Sequence, residues 1–147
     1  MSGRKSGRPG RKAYAIKAEI SNAKASLFDF ANQKTMYGGK KIAAADTIYL
    51  FASENEGGAG LVARGTVLRV TDTPRLAGVE RQTPRVSISV RRTGLARRSL
   101  GRKELKSFAN WQDGKPETEL NFKFYRQATN KIVGISDEVA AFLGKFF

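Results

Sequence analysis

The sequence predicts an α+β fold, a mixed β-barrel with short helices packed at its rim. Three observations carry this. Short runs alternate apolar and polar residues, most clearly RVSISVRR over 85–92, where Val86, Ile88 and Val90 share one face. Most such runs are joined by loops rather than crossover helices, which favours a sheet curled on itself over a doubly wound one. Near the C-terminal end, Val139, Phe142, Leu143 and Phe146 recur at i, i+3, i+4 and i+7, the stripe of a core-facing helix.

Taken in order, residues 1–12 (MSGRKSGRPGRK) hold five basic residues, three glycines and a proline, with nothing apolar after Met1. Such a segment has little to pack, and a flexible basic arm is expected. Residues 13–147 are expected to form a single domain. Ala13 to Ile20 alternates in part and reads as a strand. Ser21 or Asn22 can cap a following helix, and Ala23, Leu27, Phe30 and Ala31 fall at helical spacing as far as Gln33. Thr47 to Ala52 and Leu61 to Val70 form two strands folded back on each other. Between them, SENEGGAG supplies Gly57, Gly58 and Gly60 for a turn. That connection is long for a hairpin, and polar groups on a rigid apolar base are where binding residues tend to sit.

Thr71 to Pro84 is expected to be a loop, 85–92 a strand, and Ser99 or Gly101 the start of a short helix bearing Leu105, Phe108 and Ala109. Residues 112–119 read as a polar loop. Leu120 to Gln127 alternates Phe122 and Phe124 against Lys123 and Tyr125, which predicts a strand. Lys131 to Ile135 predicts another. Ser136 then caps the last helix, with Asp137 and Glu138 at its positive end.

Composition narrows the chemistry. The chain has 147 residues, 40% apolar, enough for one globular core. It contains no cysteine and no histidine, which removes disulfides, thiolate and imidazole metal sites, and His-dependent nucleophilic catalysis. No nucleotide-cradling GxxxxGK[ST], no HExxH and no GxSxG occurs. Nothing in the residues calls for a cofactor or a metal. The net charge is +14, from 27 Lys plus Arg against 13 acids, and points to a polyanionic partner, DNA or RNA. No apolar run is long enough to span a membrane, so a membrane partner is not expected, and a cytoplasmic, nucleoid- or RNA-associated protein is. The bases cluster in the first twelve residues and again from Arg91 to Lys106, with Arg75, Arg81 and Arg85 near the second cluster. A solvated charged face is the ordinary reading of such a run, but it does not explain the excess of one sign. Trp111 stands in the polar loop after that cluster. Tyr14, Tyr37 and Tyr125 lie on or beside expected strands, where packing with a wet tip is the ordinary reading. Stacking of an extruded base is the functional one. Ser53, Asn55, Gln127 and Asn130 could bond a base edge. Glu54 and Glu56 could do acid–base work, although two nearby acids in a loop are a common surface pattern.

Three stretches, KAYAIKAEI, ADTIYLFASENEGGAGLVARGTVLRV and FKFYRQATNKIVGISDEVAAFL, resemble EVE-type domains of the PUA-like superfamily, relatives of YTH and ASCH domains. Asp46, Ser53, Gly65 and the Arg126 to Ser136 segment fall in the family's order. Ala15 stands where a tryptophan is familiar. The ASCH pattern Gly-x-Lys-x-x-Glu-x-Arg is not matched by Ala15-Ile16-Lys17-Ala18-Glu19. The resemblance implies a PUA-like pseudobarrel that binds nucleic acid, with a base pocket at its mouth. It implies a pocket formed by Tyr14, Lys17, Ser53, Glu54, Asn55, Trp111, Tyr125 and Arg126. Arg91, Arg92, Arg97, Arg98, Arg102 and Lys103 would contact phosphates. The expected function is a non-enzymatic nucleic-acid-binding module, a reader of modified or flipped bases. The alternatives are an ASCH-like ribonuclease using Lys17, Glu19 and Glu54, and an RNA- or ribosome-associated structural protein.

Overall fold

The computed structural model describes residues 12–80, 82–127 and 129–147. The expected basic arm, apart from Lys12, and Arg81 lie outside the described residues. Six strands close into a barrel in the order β1 (Ala13–Ala18), β3 (Thr47–Ala52), β4 (Gly60–Asp72), β5 (Arg85–Leu95), β2 (Leu27–Met36) and β6 (Lys131–Gly134). The sheet is mixed. β1 runs parallel to β3 and β2 parallel to β6, and the remaining neighbours are antiparallel. Among the described residues the helical elements are α1 (Arg102–Leu105), α2 (Pro116–Leu120) and α3 (Asp137–Gly144), with 3-10 turns at Gly39–Lys41 and Glu54–Glu56 and a π-turn at Asn121–Tyr125.

Two apolar cores share the wall formed by β1, β3 and β6. Side chains alternate across a strand. Tyr14, Ile16 and Ala18 therefore enter the barrel with Ile48, Leu50, Val67, Val90 and Ile132. Ala15, Tyr49, Phe51 and Val133 face outward, where Leu105, Leu120, Phe124, Val139 and Leu143 cover them. Both faces of β1 are thus buried, and a residue at 17 must lie beneath the helical layer.

Two elements differ from the sequence reading. Residues 22–33 do not form a helix. Phe28 and Phe30 stack inside the barrel at 5.9 Å, and β2 pairs with both β5 and β6. A bulge between Phe30 and Gln33 includes Asn32 at φ 54°, and this breaks the period-two signal. Residues 120–127 are not a strand. Pro116 starts α2 after an extended Lys115, with Glu117 and Glu119 in its first turn. Leu120 and Phe124, four apart and both fully buried, then supply the helical stripe. The chain continues from α2 into a π-turn over Asn121–Tyr125, closed by Arg126 N–H donating to the Asn121 carbonyl at 2.9 Å.

The 53–60 connection is ordered rather than open. Glu54–Glu56 makes a 3-10 turn ended by Gly57 at φ 84°. The last helix starts as its sequence indicates. Ser136 Oγ accepts from Val139 N–H at 3.2 Å and donates to Glu119 Oε1 at 2.6 Å. Burial pushes the Glu119 carboxyl up, but bonds from Ser136 and Lys123 outweigh it and hold it below its ordinary range.

Candidate nucleic-acid interface

The π-turn places the Phe124 carbonyl and the Tyr125 ring over the outward face of β1. Lys17, 1% exposed, donates from Nζ to that carbonyl at 2.7 Å, and its ammonium sits 4.8 Å from the Tyr125 ring centroid. A cation at the carbonyl end of a helical turn, over an aromatic face, is well placed electrostatically. The Tyr125 hydroxyl donates to the Glu54 carboxylate, at 3.1 and 3.2 Å from its two oxygens. Arg102 N–H, at the start of α1, donates to Glu54 Oε2 at 2.8 Å. The Arg102 guanidinium lies 5.8 Å from the same Tyr125 ring and reaches Asn55 Oδ1 at 3.4 Å. A Cβ on Gly101 would displace Glu54 Oε2 from this position. Ser53 is buried, and its hydroxyl has no hydrogen-bond partner among the described residues.

The electrostatics follow from this geometry. Burial brings the Lys17 ammonium down to a pKa of about 8; Lys131 and Arg102 act in the same direction, and Glu54 opposes them. Burial and the adjacent Glu54 carboxylate raise the Tyr125 phenol well above its ordinary value, so the phenol stays protonated and donates. For Lys17 the sign is set by its lower proton affinity in the fold. Between about 8 and its unfolded value of 10.5, the unfolded chain binds more protons, so stability rises with pH across that window. We expect the melting temperature to climb relative to a Lys17→Met variant between pH 7.5 and 10. Equal pH profiles for the two proteins would overturn this.

Beside this cluster lies a cavity of about 620 Å³ at the barrel mouth. The bulged stretch of β2 from Asp29 to Lys34 lines it, with the end of β1, the 3-10 turn and the approach to β6, and of the cluster residues Asn55 reaches it. The structure therefore brings Lys17, Ser53, Glu54, Asn55, Tyr125 and Arg102 to one place. Tyr14 is not among them. It points into the barrel at the other end of β1, where burial and Asp46 push its phenol up to about 12. Trp111 also lies elsewhere. It packs edge-on against Phe122 at 5.4 Å and lines a separate cavity with Lys115, Thr118 and Glu119. Arg126 covers the Phe122 ring at 4.2 Å.

The expected phosphate contacts divide into groups. Arg98 stacks on Phe146 at 4.4 Å and donates to the Lys145 carbonyl, and the Arg97 N–H donates to the Phe146 carbonyl. Arg92 is half-buried and bonds the carbonyls of Ala25 and Lys24. Arg91, Arg97, Lys103 and Arg102 are exposed, so their charges face solvent. Sequence reasoning missed two further bases, Lys131 and Lys34. Lys131 opens the apolar run KIVG, and period-two alternation puts it on the same face as Val133, but only the strand register sets it beside Lys17 and Lys34.

Among the described residues no group of three or more acids could hold a metal ion, and no helix is long and apolar enough to cross a membrane. No protein-family model matches the chain, and no curated protein matches it in sequence. Solved structures do match. Human THYN1 in complex with 5-methylcytosine-containing DNA superposes with a TM-score of 0.61 at 14% identity, over 89% of this chain and 94% of that one. The DUF55 domain of human thymocyte nuclear protein 1 gives 0.57 at 11% identity, over 88% and 95%. The ASCH protein of Zymomonas mobilis gives 0.51 at 13% identity, over 92% and 98%. The closed mixed barrel with its short helices is therefore the fold that these solved structures share with this chain.

Proposed function

We propose that the protein is a non-enzymatic nucleic-acid-binding module that receives a flipped or modified base at the barrel mouth. One observation carries this reading: the convergence of Lys17, Glu54, Tyr125 and Arg102 with the unpartnered Ser53 hydroxyl, beside a cavity lined by Asn55 and Asn130. An extruded base needs an aromatic neighbour and a few fixed donors and acceptors for its edge, and these groups supply both. The charge of +14 supplies attraction to the backbone. The likeness in fold to a protein solved with 5-methylcytosine-containing DNA supports the same reading.

The test is a binding panel of plain and modified DNA and RNA at two salt concentrations. Affinity should fall about ten-fold or more between 50 and 200 mM salt. One modified base should be preferred, and Ser53→Ala and Tyr125→Phe should reduce that preference without changing the salt slope. Trp111→Ala should leave it intact, because Trp111 lies in another cavity. Absence of binding at low salt would overturn the proposal.

A nuclease is the second reading. It is favoured by the lowered pKa of Lys17 and by the likeness in fold to an ASCH protein. Cleavage of RNA by the purified protein, lost in Lys17→Met, would replace the binding-only reading.

A further inference from the structure

A row of lysines crosses three neighbouring strands. Lys17 of β1 pairs directly with Lys131 of β6. In the parallel pairing of β2 with β6, Thr35 opposes Ile132 and Met36 opposes Val133, so Lys34 lies beside Lys131. All three share the outward face with Ala15, Val133 and Met36, which pack under the helical layer. Like charges set side by side on a sheet destabilise it, and burying an ammonium costs more again. Lys131 is 1% exposed, yet among the described residues its ammonium makes only one hydrogen bond, a long one of 3.5 Å to the Thr129 carbonyl.

An ammonium has three N–H donors, so Lys131 is under-used. The charges that bear on it are Arg126 and Lys34, both positive, and with burial they lower its proton affinity. Among the described residues no carboxylate forms an ion pair with any of these cations, and Lys123–Glu119 is the pair that does form. Glu54 is engaged by Tyr125 and Arg102. Lys34 lines the mouth cavity beside Thr129 and Asn130. Glu19, Asp29 and Glu56 line it too.

We propose that Lys131, Lys34 and Arg126 form a built site for a phosphate group, occupied by the backbone phosphate next to the nucleotide at the mouth. This rests on the nucleic-acid reading for the source of the phosphate, and for the anion on the strand register and burial of Lys131 and Lys34, with the charge of Arg126 added. The incoming oxygens replace the long bond to Thr129 and fill the idle donors of Lys131. Arg126, whose guanidinium lies 4.2 Å from the Phe122 ring, adds a further positive charge.

The test titrates the full chain with inorganic phosphate at constant ionic strength, following backbone amide shifts by NMR. A short single-stranded oligonucleotide is then added as competitor. We expect saturable shifts confined to Lys34, Arg126 and residues 129–132, and displacement of phosphate by the oligonucleotide. Lys131→Met should weaken phosphate binding at least ten-fold while raising the melting temperature, since it removes an uncompensated buried charge. Lys34→Met, at a more accessible position, should weaken it several-fold and serves if the first variant does not fold. Shifts scattered over the exposed arginines, or unchanged affinity in both variants, would overturn the site even if the oligonucleotide binds. Local phosphate binding that the oligonucleotide cannot displace would keep the anion site but reject nucleic acid as its source.

Discussion

Replacing Glu54 with alanine is expected to lower stability by about 2–4 kcal/mol. For a domain of this size that is a fall of roughly 5–10 °C in melting temperature. The reason is the number of groups that depend on one carboxylate. The Tyr125 hydroxyl and the Arg102 N–H both donate to it. It is also the one negative charge that offsets Lys131 and Arg102 at Lys17. Without it, a buried ammonium faces only like charges and a buried phenol loses its acceptor. Glu54→Gln separates the two effects. It keeps an acceptor oxygen and removes the charge, so it should cost less in stability and lower the Lys17 pKa further below about 8. Thermal melts of the two variants and a titration of Lys17 by NMR decide the matter. A melting temperature for Glu54→Ala within a degree of the parent would sink the idea.

Gly60→Ala should be at least as damaging, for steric reasons. Gly60 has φ 88°, and a Cβ on it would collide with the Leu100 carbonyl and the Gly101 Cα. Both neighbours are backbone, so neither can swing away. Leu61 N–H donates to that same Leu100 carbonyl at 2.8 Å. We expect a loss of about 3 kcal/mol or more. Because Leu100 and Gly101 lead into α1, the shift should also move the Arg102 N–H off Glu54 and weaken nucleic-acid binding. Gly57→Ala is the matched control. Its φ of 84° is equally unfavourable, but a Cβ there meets open space, so only about 1 kcal/mol should be lost. Equal losses at the two positions would show that conformation rather than collision sets the cost.

Much of the architecture was legible in the sequence because β4, β5 and α3 carry their own periodicity. Val86, Ile88 and Val90 enter the barrel as alternation requires, and Val139 and Leu143 are fully buried as helical spacing requires. The failures have local causes. In β2, the bulge at Asn32 interrupts alternation, and pairing to two strands outweighs helical spacing. In 116–125, Phe122 and Phe124 mimic a strand, whereas Thr118, Leu120, Asn121 and Phe124 are the buried helical positions. Lys17, Glu54 and Tyr125 could be named as candidates because their types and places stood out. That Lys131 and Lys34 join them could not be read off, because it depends on β1 and β2 flanking β6, a closure with no short-range signal.

That closure also has a consequence for how the chain folds. Lys17 meets the Phe124 carbonyl across 107 residues, and β6 is the seam between β1 and β2. Contacts so distant in sequence form slowly, because loop entropy is lost before packing compensates. During synthesis the early strands would wait with an open edge until β6 emerges. The seam then shuts against electrostatic repulsion between its own lysines. Screening anions would ease that final step, so a polyanion bound there would also help the barrel to fold.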